Sequence, residues 1–382
     1  MDISKINLIA TAAFGVESSL KREMQNLGLE ITASADGRVE FLGDYSAIAR
    51  ANIWLRMADR ILIKMGEFRA TTFDELFDGI YALNWGDFVQ QNGKIIVSAK
   101  SAKSTLFSTS DCQSIAKKAI IEKLKKKYNT EWFSEDGADY KIKVHIQKDI
   151  ATITIDTTGQ GLHKRGYRNI ASSAPIKETL AAALLDISFW KRDRPLLDPM
   201  CGSGTIAIEA ALIAKNIAPG HKRKFDAENW GIIPEKIWNN ERTNAGRAID
   251  REIIPKIYAS DTSSKMIRQA KDNAIKAGVS DCIEFRICSI SDIATMKFDD
   301  EFGSIITNPP YGERLGSLTE LKNIYKSLSM IMERNKTWSS YIISADEEIE
   351  EYMGIKASKK RKLFNGGIKA DYYQFYGAKP SK

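Results

Sequence analysis

The spacing of apolar side chains predicts two small α/β units in the first part of the chain. Short apolar runs such as NLIATA and GRVEFLG alternate with helical patterns such as GVESSLKREMQNLG, in which apolar residues recur on one face and Gly28 ends the helix. A second set begins with a helix over TTFDELFDGIYALNW and ends with two paired strands, YKIKVHIQ and IATITID. These patterns place one domain in residues 1–67 and another in residues 68–157.

The remaining residues, 158–382, have the most regular pattern. The segments RPLLDPM, KIYASD, IEFRICS, GSIITNPP and WSSYIIS are strand-like and alternate with helical segments, which predicts a doubly wound sheet. The end, KKRKLFNGGIKADYYQFY, predicts an antiparallel hairpin. We therefore expect an α/β fold in which a Rossmann-like domain, with a seven-stranded, mostly parallel sheet, follows an α+β region. Residues 158–175 are interpreted as a linker or ordered loop, and residues 217–256 as an insertion.

Charge adds a second indication to this picture. The formal net charge of +7 and the isoelectric point near 9.0 favour a polyanionic partner, although many basic proteins bind no nucleic acid. The predicted helix DCQSIAKKAIIEKLKKKYN concentrates lysines between Lys117 and Lys127. This lysine-rich face is either a surface that binds RNA phosphates or an ordinary solvated surface.

Other features narrow the class of protein. No apolar run approaches the ~18 residues of a membrane-spanning helix, and the N-terminal residues are strand-like without the pattern of a signal peptide. The four cysteines lack CxxC spacing and there are three histidines, so neither set predicts a metal site. Free thiols in a chain of this length are typical of the cytosol. We expect a cytoplasmic protein that uses no metal.

A glycine-containing loop follows the first strand of the last domain and opens a helix, where open α/β sheets bind ligands. Gly202 and Gly204 allow close approach of the backbone to a ligand. Ala207 stands where a nicotinamide-binding motif has its third glycine, and no lysine follows as in a P-loop. A tight turn without a ligand is the alternative. The candidate residues of this loop are Asp198, Cys201, Gly202, Ser203, Gly204 and Thr205.

Two further acids follow the next two strands. Asp261 ends the second strand, where a carboxylate can accept hydrogen bonds from both ribose hydroxyls, and Asp292 follows the third, where an acceptor can meet an adenine amino group. Capping of the helix that follows Asp261 is an alternative role. One acid after each of three successive strands is the arrangement expected for a bound nucleoside.

The segment Asn308-Pro309-Pro310-Tyr311 at the end of the fourth strand is the sharpest signal. Two prolines stiffen the backbone, so that Asn308 can accept a hydrogen bond from an exocyclic amine while Tyr311 stacks on the base. Acceptors on the hydrogens of an aryl amine stabilise the positive charge that develops when its nitrogen attacks. A Pro-Pro turn alone would account for the rigidity but not for the asparagine and the tyrosine.

DPMCGSGT followed by NPPYGERL resembles the class I methyltransferases that act on amino groups with S-adenosylmethionine (SAM), and HKRGYR with APIKETLAAALL resembles the THUMP-containing RNA methyltransferases. Over essentially the whole chain the sequence is similar to the N-terminal half of the bacterial 23S rRNA (guanine-N2) methyltransferase L family. The resemblance implies a ferredoxin-like domain in residues 1–67, a THUMP RNA-binding domain in 68–157 and a SAM-dependent domain in 158–382. That family continues into a second methyltransferase domain that is not in this sequence, which leaves the target nucleotide open.

The resemblance also implies roles for individual residues. Asp198 and the glycine loop would line the methionine part of SAM, Asp261 the ribose and Asp292 the adenine, with Glu178 and Thr179 closing the methionine end. Asn308, Pro309 and Tyr311 would hold the target base. The expected reaction is methylation of the N2 amine of a guanine in RNA, with rRNA as the expected partner.

Other functions remain compatible with the motifs. The NPPY segment suits the N6 amine of adenine in DNA and the amide of a protein glutamine equally well, and a tRNA guanine is a further alternative to rRNA. The first half of the chain has no helix-turn-helix pattern for reading duplex DNA. A non-catalytic RNA-binding scaffold is a fourth possibility, which the intact Asp198, Gly202, Asp261 and Asn308 disfavour.

Overall fold

The computed structural model describes residues 5–168, 176–310 and 318–378. Within these ranges no helix is both long and apolar enough to cross a bilayer. The strands are β1 Ile6–Thr11, β2 Glu30–Ala35, β3 Arg38–Gly43, β4 Arg60–Arg69, β5 Lys94–Ala102, β6 Asp139–Gln147, β7 Ile150–Asp156, β8 Leu196–Asp198, β9 Ile257–Asp261, β10 Ile283–Ile287, β11 Ser304–Thr307, β12 Ser339–Ser344, β13 Lys359–Asn365 and β14 Ile368–Phe375. The α-helices are α1 Glu17–Asn26, α2 Tyr45–Trp54, α3 Phe73–Ala82, α4 Thr109–Tyr128, α5 Glu178–Ile187, α6 Thr205–Ala214, α7 Glu235–Arg247, α8 Ser264–Ala277, α9 Ile290–Ile293, α10 Leu318–Arg334 and α11 Ile349–Met353.

The first seven strands form one sheet in the order β2-β3-β1-β4-β7-β6-β5. The antiparallel pairing of β4 with β7 joins the strands of residues 1–67 to those of residues 68–157, and Leu62 lies opposite Asp156. Strand β2 was not predicted, because its sequence EITASA is almost entirely exposed and shows no apolar alternation. It lies at the sheet edge, where a strand needs only one neighbour.

The two faces of this N-terminal sheet differ in polarity. On one face, alternate apolar residues of the strands pack with the apolar residues of α1 to α4 in a continuous core that includes Leu8, Ile63 and Ile153. Because successive side chains of a strand point to opposite faces, the intervening residues form the second face. That face is more polar and includes Arg38, Lys143, His145, Thr152 and Thr154.

The second sheet has the order β10-β9-β8-β11-β12-β14-β13. Its first four pairings, from β10 to β12, are parallel, and β14 runs antiparallel to both β12 and β13. The predicted seven-stranded, mostly parallel sheet with a terminal hairpin is therefore confirmed. The hairpin turns at Gly366, whose φ of +66° lies in the left-handed region that glycine adopts readily.

Residues 157–168 lie between the two sheets, and the rest of the predicted linker or loop, 169–175, lies outside the described residues. The guanidinium of Arg165 forms an ion pair with the Glu209 carboxylate of α6 (3.3 Å), and the Tyr167 hydroxyl donates to the same carboxylate (3.1 Å). The side chains of Arg165 and Glu209 are 2% and 0% exposed. Because Arg165 also donates to the backbone oxygen of Arg56, this buried cluster fixes the second sheet to the N-terminal half.

The predicted insertion, residues 217–256, also lies against the N-terminal half. Its helix α7 packs on α2, and Arg50 of α2 pairs with Glu241 of α7 at 3.1 Å. Trp238 is buried and stacks with Phe225, with 5.6 Å between the ring centroids. The insertion therefore stabilises the contact between the two halves.

Candidate functional site

A cavity of about 480 Å³ lies at the carboxyl ends of β8, β9 and β11, where parallel sheets place their ligand sites. Its volume is within the range of small-molecule sites in proteins. Residues from six parts of the chain form its wall: Ile176, Asp198, Pro199, Met200, Cys201, Gly202, Ser203, Thr205, Ile206, Asp261, Thr262, Met266, Ser289, Ile290, Ser291, Asn308, Pro310, Glu320, Asn323 and Ile324. The predicted glycine loop, the acid of the second strand and the asparagine of the fourth strand thus meet at one cavity.

The glycine loop is held in place from the neighbouring strand. The Asp261 carboxylate accepts hydrogen bonds from the backbone N–H of Gly202 (3.0 Å) and of Ser263 (2.9 Å). Gly202 and Gly204 have φ values of +52° and +83°, which side-chain-bearing residues rarely adopt. A Cβ at Gly202 would meet only the Met266 Cε, at 3.8 Å, so the loop backbone faces open space. Asp261 both shapes the loop and presents negative charge to the cavity.

Asp198 is buried at the end of β8, and the hydroxyl of Thr307 donates a hydrogen bond to its carboxyl at 2.8 Å. Burial raises the pKa of the Asp198 carboxyl to about 7, and the negative charge of Asp261 adds to the rise. A cationic or hydrogen-bond-donating ligand beside Asp198 would offset the cost of its ionised form.

We expect the stability of an Asp198→Asn variant, relative to the wild type, to increase as the pH rises from 5 to 8. A carboxyl with a raised folded-state pKa favours folding fully below its unfolded pKa of about 4, and this contribution is lost as the pH rises through about 7. Asparagine keeps an acceptor for Thr307 but never ionises. Melting temperatures measured at pH 5, 6.5 and 8 test this prediction, and a constant difference between the two proteins would contradict it.

Asn308 follows β11 and presents an oxygen without a partner. Its Oδ1 is buried and accepts no hydrogen bond from any residue that the structure describes. Buried polar atoms are nearly always paired, so this oxygen is available to a donor from a ligand. Pro310 lies beside it in the cavity wall. Tyr311, the predicted stacking residue, lies outside the described residues.

Several other predicted residues lie outside the cavity wall, where they have protein partners. Glu178 is buried and lies 3.4 Å from the Arg168 guanidinium, and the Thr179 hydroxyl donates to Asp59 at 2.8 Å. The Asp292 carboxylate is exposed and accepts hydrogen bonds from the backbone (3.1 Å) and hydroxyl (2.7 Å) of Ser289, which cap α9. Gly204 and Pro309 support the loop and the strand end without lining the cavity.

Sequence reasoning missed the residues that reach the cavity from helices. Met266 lies in the first turn of α8, and Asn323 and Ile324 lie in α10. Ser289 and Ile290 begin α9, beside the predicted Asp292. The position of Met266 could have been inferred from its closeness to Asp261 in the sequence. No motif in the sequence indicates the α10 residues, because only tertiary packing brings them to the cavity.

Comparisons with known families match three consecutive parts of the chain. Residues 7–62 match the RlmL ferredoxin-like domain, residues 70–156 the THUMP domain, and residues 165–374 the RMKL-like methyltransferase domain.

Individual proteins match almost the whole chain. The Bacillus subtilis (strain 168) protein named "Putative RNA methyltransferase YpsC" is 49% identical over 98% of this chain and 97% of its own. A structure from Listeria monocytogenes str. 4b F2365, described as a predicted N6-adenine-specific DNA methylase, is 45% identical (TM-score 0.93; 98% of this chain, 97% of that one). The structure of SMU.472, described as "a putative methyltransferase complexed with SAH", is 41% identical (TM-score 0.93; 99% and 100%).

Proposed function

This chain belongs to the family of RMKL-like methyltransferases, and we propose that it methylates the exocyclic N2 amine of a guanine in RNA, in 23S rRNA. The observation that carries the proposal is the buried Oδ1 of Asn308, which has no hydrogen-bond partner among the described residues and lies in the same cavity as Asp198 and Asp261. It offers a hydrogen-bond acceptor to an amine next to a site suited to a nucleoside cofactor.

The cofactor of the chain is SAM, which supplies an electrophilic methyl group on a sulfonium centre. The residues of the cavity fit this molecule. The open backbone at Gly202 admits a ligand, the carboxylates of Asp198 and Asp261 suit an ammonium and ribose hydroxyls, and Ile290 provides an apolar contact for a purine ring. We propose that these residues hold SAM.

We expect the Asp261→Ala variant to bind SAM more weakly by about 1–3 kcal/mol, the scale of hydrogen bonds to a charged group. The side chain would lose its contact with the cofactor, and Gly202 would lose the carboxylate that positions it. Calorimetric titration of the variant with SAM measures the effect. Asp281→Ala is the control, because Asp281 follows the C-terminal end of α8, does not line the cavity and pairs with Lys215 at 2.8 Å. Equal affinities of the Asp261→Ala variant and the wild type would refute the assignment.

The proposed catalytic contribution of the protein is mainly the positioning of the amine. An aryl amine is a weak nucleophile because its lone pair is delocalised into the ring. The Asn308 oxygen accepts a hydrogen bond from the amine, which favours attack through the nitrogen lone pair and stabilises the charge that develops. Pro309 and Pro310 restrict the backbone that carries Asn308, so the acceptor is oriented before the substrate binds.

Two observations favour RNA as the substrate. The THUMP match over residues 70–156 covers most of the second unit, and YpsC carries the name of an RNA methyltransferase. The Listeria relative is described as a methylase of adenine in DNA, so the N6 amine of DNA adenine is the second candidate. Asn308 suits both amines, and the choice between them therefore lies with the N-terminal half.

The proposal is tested by identifying the methylated nucleoside. Purified protein and labelled SAM are incubated with ribosomal RNA, with transfer RNA or with DNA in three separate reactions. Each nucleic acid is then digested, and the labelled nucleoside is identified. We expect N2-methylguanosine in ribosomal RNA, and mass spectrometry of ribosomal RNA from cells lacking the gene should show its loss. Label in N6-methyladenine of DNA would replace the proposal with the second candidate, and label in transfer RNA would change the RNA but not the chemistry.

A further inference from the structure

We propose that a groove on the polar face of the N-terminal sheet binds a backbone phosphate of the RNA substrate, between Arg38, Lys100, Lys143 and His145. This inference rests on the proposed function, because it takes RNA to be the substrate. It places a phosphate contact on the sheet, away from the lysine-rich helix to which the sequence pointed.

The groove encloses about 300 Å³ and crosses six neighbouring strands, from β3 to β5. Four basic groups reach it from β3, β5 and β6, and four hydroxyl-bearing residues complete its polar lining. The wall contains no carboxylate among the residues that the structure describes. It consists of Ile9, Thr11, Arg38, Leu62, Ser98, Ala99, Lys100, Lys143, Val144, His145, Thr152 and Thr154.

The charges around this groove are only partly compensated. Arg38 pairs with Glu40 (3.2 Å) and Glu67 (3.6 Å), and Lys143 pairs with Asp156 at 2.9 Å. Neither Lys100 nor His145 has an ion-pair partner within residues 5–168, 176–310 and 318–378. The unpaired ammonium group of Lys100, beside the His145 imidazole and the hydroxyl groups, forms a site that an anion would complete.

The pKa values of Lys143 and His145, both on β6, are lowered in part by the neighbouring positive charges. Burial lowers the pKa of Lys143, and Arg60 and Lys100 lower it further against the opposing effect of Asp156. Burial also lowers the pKa of His145, and Arg38 and Lys100 add to this effect. A phosphate in the groove would favour the charged form of both side chains.

The lysines of α4 are engaged more fully by the protein itself. Lys117 pairs with Glu135 at 3.1 Å, and Lys125 pairs with Glu122 and Glu131, each at 3.3 Å. The Lys118 and Lys123 ammonium groups lie over the rings of Phe77 and Tyr81. Four of the six α4 lysines thus have partners on the protein, whereas no ion-pair partner of Lys100 or His145 lies among the described residues.

The groove also begins near the catalytic domain. Thr11, at one end of it, accepts a backbone hydrogen bond from Asp59 (2.6 Å), and the Asp59 carboxylate accepts one from Thr179 of α5 (2.8 Å). Ile176, three residues before Thr179, lines the cofactor cavity. A strand of RNA held in the groove would therefore lie beside the domain that carries Asn308.

The test compares charge reversals in the full-length protein. We expect Lys100→Glu, an exposed position on β5, to weaken binding of a ribosomal RNA fragment at least tenfold and to lower the slope of log Kd against log salt concentration by about 1. Lys126→Glu on the exposed face of α4 is the matched control and should bind RNA as the wild type does. Both variants should bind SAM with wild-type affinity, which shows that they are folded.

Each other outcome overturns the inference in a distinguishable way. Unchanged RNA binding by Lys100→Glu, with RNA methylation by the wild type, refutes the groove alone. If Lys126→Glu weakens RNA binding and Lys100→Glu does not, the RNA binds at α4 and not in the groove. Absence of RNA binding by the wild type refutes both the groove and the RNA substrate. Binding of inorganic phosphate, measured by 31P NMR, distinguishes an RNA phosphate from a free phosphate ion as the ligand. If Lys100→Glu abolishes phosphate binding but does not change RNA binding, the groove is a site for free phosphate.

Discussion

The Arg165→Met variant is expected to lose about 3–5 kcal/mol of its free energy of unfolding, the usual cost of removing one partner from a buried ion pair. Arg165 is the cation next to the Glu209 carboxylate, and its side chain also donates to the backbone oxygens of Leu162 and Arg56. Methionine fills a similar volume but removes the cation, and the Tyr167 hydroxyl is then the one close side-chain donor to Glu209 among the described residues. Urea denaturation followed by circular dichroism measures the loss.

An exposed ion pair of the same type provides the control. Arg192 pairs with Asp250 at 2.7 Å, but its side chain is 50% exposed. Arg192→Met should therefore cost less than about 1 kcal/mol. The double variant Arg165→Met with Glu209→Leu removes the orphaned charge and should recover part of the loss. Similar effects of Arg165→Met and Arg192→Met would show that the buried cluster does not hold the two halves together.

The second sheet, which carries the candidate site, could be predicted because short stretches of the sequence indicate its parallel strands and the helices that follow them. Strand β9, for example, is a short apolar run that ends at Asp261, and a helix follows it, as a helix follows each of the other parallel strands. The fused N-terminal sheet could not be predicted in the same way. Pairing of β4 with β7 joins residues more than 80 positions apart, for example Arg69 with Ile150, and no short-range pattern records that contact.

The same distinction applies to the candidate site. Gly202, Asp261 and Asn308 could be placed together because each ends or follows a parallel strand, and such ends share one edge of the sheet. The orientation of a side chain that follows a strand also depends on which neighbouring polar groups form hydrogen bonds with it. The contact of Asp292 with adenine stays a prediction, and its carboxylate also accepts hydrogen bonds from the backbone N–H and the hydroxyl of Ser289 in a helix cap, which the strand pattern did not indicate.

Thr179 illustrates a contact that only the assembled protein defines. Its place at the methionine end of the cofactor stays a prediction, and its hydroxyl donates a hydrogen bond to Asp59 of the N-terminal half. Nothing in the sequence near either residue indicates this partner, which lies 120 positions away. The contact forms because residues 157–168, with Arg165, dock the second sheet against the first one.

Asn308→Ala is expected to reduce the rate of methyl transfer to RNA about a hundredfold, or ~3 kcal/mol, while the affinity for SAM changes little. The alanine removes the oxygen that would accept a hydrogen bond from the amine, but no described contact of Asn308 holds the glycine loop or Asp261. The loss should therefore appear in the single-turnover rate constant with saturating RNA. Titration calorimetry with SAM provides the separate measurement of cofactor binding.

The Asn308→Asp variant distinguishes the loss of the acceptor from a general disturbance of the strand end. Aspartate has nearly the same shape and keeps an oxygen at the position of Oδ1, so it should retain more activity than alanine. If Asn308 only stabilised the fold, both variants would lower the melting temperature and the SAM affinity together with the rate. A hundredfold weaker binding of SAM by Asn308→Ala would place Asn308 with the cofactor and remove the acceptor role on which the proposed chemistry depends.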